Sequence, residues 1–216
     1  MLSARIAIFV AMIGCAVATE KPAAKTPTEA EVPAALLPEV RKANDLFAKG
    51  DLAGAQQAFE QALAKAPENA YLLSNLGVVR FRDGRHAQAE VVLKQAVALA
   101  PKDDFSHTML GAVLLTQGRF DSALAEIEIA LTLNPKNATA NHYKGICANE
   151  KGLQGTARKS FETALALDPD YADAHFNLAV LLATQQPPDK ENAARHYERA
   201  RALGAEADPS LERMLK

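Results

Sequence analysis

Between Asp104 and Asn137 (DDFSHTMLGAVLLTQGRFDSALAEIEIALTLNPKN), apolar and polar positions follow a helical spacing broken once in the middle. The pattern predicts two amphipathic helices that meet at a turn centred on Gly118 and close at Pro135. The same landmarks recur in both directions. Gly50, Gly84, Gly118 and Gly152 are each 34 residues apart, and so are Ala55, Ala89, Ala123 and Ala157. Ala62, Ala96, Ala130 and Ala164 keep the interval, as do Pro67, Pro101, Pro135 and Pro169. One helix pair cannot bury its apolar face alone, so a period of this length implies stacked helix–turn–helix units.

Each recurring residue has a steric reason. Ala43, Gly77, Gly111, Gly145 and Ala179 fall mid-way along the first helix of each unit, where only a small side chain lets the paired helix approach. The recurring alanines of the second helix do the same for its neighbours. Phe59, Leu93, Ile127 and Phe161 supply the bulk between them. The turn glycines end each first helix, where a left-handed residue costs least. Asn69, Asp103 and Asn137 follow the prolines at helix N-cap positions; the fourth boundary has Tyr171 there instead.

These coincident positions resemble the tetratricopeptide repeat (TPR) family over roughly residues 36–203. The resemblance implies an all-α protein, a right-handed α-solenoid of about five TPR units near 36–69, 70–103, 104–137, 138–171 and 172–205. Some positions depart from the pattern. Lys42 stands in the first unit where Leu76, Leu110 and Leu178 stand in others, so the first helix of that unit is expected to be partly exposed or frayed; Lys144 breaks the same position in the fourth unit. The fifth unit lacks the turn glycine, has Gln185-Gln186-Pro187-Pro188-Asp189 in its place, and needs two inserted residues to bring Ala193, Tyr197 and Ala200 into register. Gly204 stops the last repeat helix. Asp208 and Pro209 then start a C-terminal capping helix within 206–216, with Leu211, Met214 and Leu215 on one face.

Ahead of the array, residues 1–18 read as an export signal: Arg5, the apolar run Ile6 to Val17, then Ala16-Val17-Ala18 with cleavage between Ala18 and Thr19. Met12-Ile13-Gly14-Cys15 resembles a lipobox, which gives an alternative reading in which Cys15 is lipidated. Residues 19–35 are Pro/Ala-rich and are expected to form a flexible tether. The expected location is periplasmic, with an outer-membrane lipoprotein as the alternative, and the lipid would then be the only membrane contact.

A net charge of −2 supplies no basic surface for nucleic acid. No nucleophile, phosphate-loop, dinucleotide or paired-cysteine metal motif is present, so neither catalysis nor a cofactor is expected. His107, His142 and His175 fall near one level of successive first helices, but no carboxylate or thiolate co-ligand accompanies them and no metal is expected. His107 and His175 take the family's large-aromatic packing position, and His142 is turned toward the groove. Cys147, between Ile146 and Ala148, reads as a buried and inert thiol.

In the TPR family, six positions of each repeat line the concave face. Their counterparts here include Tyr71, Asn75, Phe81, Phe105, Met109, His142, Tyr143, Phe176 and Asn177, a mostly apolar set with scattered amides. Arg82 alone does not make the carboxylate clamp by which some TPR domains hold acidic tails. Asn75 and Asn177 match the family's asparagines that pair with a peptide backbone. The resemblance thus implies a non-enzymatic scaffold for a protein or peptide partner of unspecified identity, in envelope or secretion-machinery assembly. An accessory domain of an envelope enzyme, or a self-assembling structural protein with weak self-association, are the alternatives.

Overall fold

The computed structural model describes residues 32–216. The export signal, the cleavage at Ala18 and Thr19, Cys15 and nearly all of the tether lie outside the described residues. A 3₁₀ turn, Ala34–Leu36, precedes eleven α-helices, and no strand occurs among the described residues. They are α1 (Leu37–Ala48), α2 (Leu52–Lys65), α3 (Ala70–Arg82), α4 (His86–Leu99), α5 (Asp104–Thr116) and α6 (Phe120–Leu133). These are followed by α7 (Ala138–Glu150), α8 (Gln154–Leu167), α9 (Ala172–Thr184), α10 (Lys190–Ala202) and α11 (Pro209–Leu215).

Local chemistry sets the helix ends. Asn69, Asp103 and Asn137 each accept a hydrogen bond from the backbone N–H three residues on, at Leu72, Ser106 and Ala140. Asp51, Asp189 and Asp208 cap α2, α10 and α11 in the same way. Tyr171 makes no such bond at the start of α9. At the turns inside the first four pairs, Gly50, Gly84, Gly118 and Gly152 hold φ between 72° and 79°, the left-handed region that penalises a Cβ.

Two compact units divide the described chain after Asn134. In the first, α1–α6, the small-residue seam brings the paired helices into close contact. A Cβ on Gly77 would come 2.5 Å from Leu93 Cγ, and one on Gly111 would come 2.7 Å from Ile127 Cγ1. Side-chain ties recur at the repeat interval: Arg85 donates to Gln56 at 2.9 Å, and Arg119, 34 residues later, donates to Glu90 at 2.7 Å. Lys94 and Arg119 beside Glu90 hold its carboxyl at about 2. Only Val40 and Ala43 of α1 are buried, and Lys42 is exposed.

The second unit, α7–α11, uses the same seam, with Gly145 facing the Phe161 ring so closely that a Cβ would sit 2.5 Å from it. Its end is closed by α11. Leu211 is fully buried, Leu215 is half-buried and Met214 is left exposed. Tyr197 fastens the cap: its hydroxyl accepts from Asp208 N–H at 2.8 Å and donates to Glu212 at 3.0 Å.

Candidate functional site

The first helices carry the side chains read from the sequence as a binding face. In the first unit, Tyr71 and Asn75 on α3 are half-buried. The Tyr71 hydroxyl accepts from Asn44 at 3.2 Å, and the Asn75 amide donates to the Tyr71 carbonyl at 2.7 Å, one turn back in its own helix. Phe81 is buried, with its ring 5.4 Å from His86. Phe105 is half-buried and Met109 wholly buried. In the second unit His142, Tyr143, Phe176 and Asn177 are all buried. Of the whole set, Tyr71, Asn75 and Phe105 are the side chains with substantial solvent access.

The Asn177 amide is therefore not free to pair with a peptide backbone, as its family counterpart implied. It donates to His142 Nε2 at 2.7 Å. That bond fixes the imidazole tautomer: with Nε2 accepting, Nδ1 carries the proton and donates to the Tyr171 hydroxyl at 3.1 Å. His142 packs between the rings of Phe161 and Tyr171, at centroid distances of 5.9 and 4.8 Å. It is thus a core histidine rather than a groove residue, and burial pushes its pKa down to about 3. Tyr171, which makes no cap bond at the start of α9, instead places its hydroxyl against His142.

His107 and His175 occupy equivalent places, and each donates from Nε2 to the carbonyl of the preceding turn proline. Those bonds are 3.2 Å to Pro101 and 3.1 Å to Pro169. Their Nδ1 atoms differ. His107 Nδ1 lies 2.7 Å from the Glu126 carboxylate. His175 Nδ1 lies 2.8 Å from His196 Nδ1. Nothing in the sequence reading paired these residues, although the signal was present. Glu126 is 19 positions after His107 and His196 is 21 after His175, a difference equal to the two-residue insertion. Among the described residues, no group of three or more His, Cys, Asp or Glu side chains is placed to hold a metal. Cys147 is buried, and burial lifts its thiol to about 12.

A family model described as tetratricopeptide repeat matches residues 40–104 and 108–155, and one described as TPR repeat matches 149–186. The chain belongs to the tetratricopeptide repeat family. TPR proteins are generally non-catalytic scaffolds that bind protein or peptide partners, and their helix–turn–helix units are of the kind that build α-solenoids. No curated protein matches this TPR chain. Among solved structures it is similar to TTC0263, a thermophilic TPR protein of Thermus thermophilus. That match has a TM-score of 0.70 and 22% identity over 83% of this chain and 96% of that one. It is also similar to Pseudomonas aeruginosa pilF, with a TM-score of 0.69 and 19% identity over 80% of this chain and 78% of the other. The likeness to YrrB, a TPR protein with an unusual peptide-binding site, has a TM-score of 0.57 and 24% identity over 88% and 96%. At these identities the likenesses show the fold alone.

Proposed function

We propose that this TPR protein is a non-enzymatic scaffold that holds an extended segment of a partner protein against the first-helix face of either unit. The observation that carries the reading is what those faces leave open. In the first unit the partly open side chains at the family's binding positions are Tyr71, Asn75, Arg82, Phe105 and Thr116. In the second they include Asn149, Asp173, Val180 and Thr184. This is a mixture of rings, amides and hydroxyls with few charges, suited to an unstructured peptide of relaxed sequence preference. YrrB, described as having an unusual peptide-binding site, is consistent with a fold that can carry one. Few charges in the face imply weak dependence on salt.

We place this scaffold outside the cytoplasm, in the periplasm and in the service of envelope or secretion-machinery assembly, on the strength of Arg5, the apolar run Ile6 to Val17 and Ala16-Val17-Ala18. Intact mass of the exported protein is then expected to correspond to a chain starting at Thr19. A diacylglyceryl adduct on Cys15 would instead establish the lipoprotein form, and retention of the full-length chain in the inner membrane would exclude both.

Binding is tested by pairing Asn75→Ala with Phe105→Ala. Both residues are half-buried, so the double variant should keep its helicity while losing affinity for a crosslinked partner segment. Lys159→Glu, on the exposed side of α8, is the control and should bind as the parent does. Loss with Lys159→Glu and normal binding by the double variant would place the partner elsewhere.

A further inference from the structure

In the second unit two imidazoles face each other where the first unit has an imidazole and a carboxylate. His107 presents both ring nitrogens to acceptors, the Pro101 carbonyl and Glu126, so its ring is satisfied only when both nitrogens carry protons. His175 gives its Nε2 proton to the Pro169 carbonyl, which leaves Nδ1 to accept from His196 Nδ1–H. One added proton can be absorbed, because His196 can change tautomer and His175 can become the donor. A second cannot. Two N–H groups would then point at each other across 2.8 Å, each on a cation.

Neighbouring charges do not relieve this. His175 faces Asp168 and Asp170 from the turn before α9 and Arg199 from α10; His196 faces Arg158 and Glu162 from α8. Arg199 is ion-paired with Asp170, and Arg158 is paired with Glu162 at 2.8 Å. On α11, which also packs against α9 and α10, Glu212 is engaged by Tyr197. None of these supplies the lone carboxylate contact that Glu126 gives His107.

We propose that the His175–His196 contact is an acid-sensitive latch: the second proton opens it and releases α10, with its cap α11, from α9. Opening would uncover Ala193, Tyr197, Ala200 and Leu211, all buried in the closed form, together with Phe176, whose ring meets Tyr197 at 6.1 Å. The result is a new apolar face, available only in acid. Both imidazoles have their pKa lowered, first by burial, so the closed form loses stability as pH falls below their ordinary value of 6.5. His107 runs the other way. Burial alone would lower its pKa, but Glu126 and the Pro101 carbonyl raise it, so its contact strengthens over the same range.

Amide hydrogen exchange on the full chain at pH 7.5 and pH 5.0, corrected for intrinsic exchange rates, tests the latch. Protection in α10 and α11 should fall at least tenfold more than in α6. His196→Glu recreates the first unit's pair and should reduce that difference to less than threefold. Unchanged protection in α10 at pH 5.0, or an equal loss in His196→Glu, would overturn the proposal. So would simultaneous loss in α7 and α8, since opening would then come from His142 rather than from the pair. If the variant fails to fold, histidine ring titrations of the parent by NMR decide. His175 and His196 must titrate below His107, with α10 amide shifts moving alongside them, and a shared midpoint for all three rejects the latch.

Discussion

The hydroxyl of Tyr171 lies 3.1 Å from Nδ1 of His142, a residue 29 positions earlier, and closes a buried chain that runs through the imidazole to Asn177. Tyr171→Phe keeps the ring but strands a buried N–H, which should cost about 1–3 kcal/mol. Urea unfolding checks this. A change in midpoint too small to resolve would mean that the N–H finds another acceptor.

The same imidazole gives a pH dependence whose sign is fixed. Its folded pKa of about 3 lies below its ordinary 6.5, so the unfolded state takes up the proton first as pH falls. Stability is complete above pH 6.5 and declines below it, by up to roughly 1.4 kcal/mol per pH unit. Burial raises Asp173 to about 6, which acts in the opposite direction: its contribution is lost as pH rises through that value. Comparing the parent with His142→Gln cancels the Asp173 term. The parent's stability should fall more steeply between pH 6 and pH 4 than the variant's, and parallel curves would show that His142 is not buried neutral.

Gly145→Ala should destabilise although alanine is the better helix former. The added Cβ would meet the Phe161 ring at 2.5 Å, and overpacking of about 1–3 kcal/mol exceeds the ~1 kcal/mol gained in propensity. Gly50→Ala is the contrasting case. Nothing lies within 4 Å of its Cβ, and the cost is the left-handed backbone alone, about 1–2 kcal/mol. Thermal melts of the two variants, each compared with Gly50→Asn, separate the causes: Asn should rescue position 50, where the backbone is the problem.

Removing the cap's anchor, Leu211→Ala, should cost about 2–5 kcal/mol within the second unit, because the side chain is fully buried. Limited proteolysis should then cut ahead of Pro209 before it cuts elsewhere in the described chain. An intact α11 under those conditions would show that Tyr197 holds the helix by itself.

Cys147 should resist iodoacetamide in the native protein at pH 8. A thiol lifted to about 12 is almost entirely protonated there, and its side chain is buried. Mass spectrometry should find the adduct only after denaturation, and rapid native labelling would contradict the packing around α7.

Sequence alone determined the repeating element. Helix ends depend on groups a few residues apart, so the glycine turns and the Asn69, Asp103 and Asn137 caps could be read from spacing. The seam at Gly77, Gly111 and Gly145 was also readable, because a steric requirement repeated every 34 residues leaves a repeated small residue. What only the tertiary structure decided were contacts between groups some 20 to 35 positions apart. Asn177 has the family's backbone-pairing residue type, yet its amide is taken by His142, and the difference depends on which ring stands 35 residues away. His107 and His175 read as equivalent, yet one meets a carboxylate and the other a second imidazole, because a two-residue insertion brings His196 to the place of Glu126. A side chain's hydrogen-bond partner is chosen by packing across helices, and a period read along the chain records where that partner's helix lies without specifying which chemistry it presents.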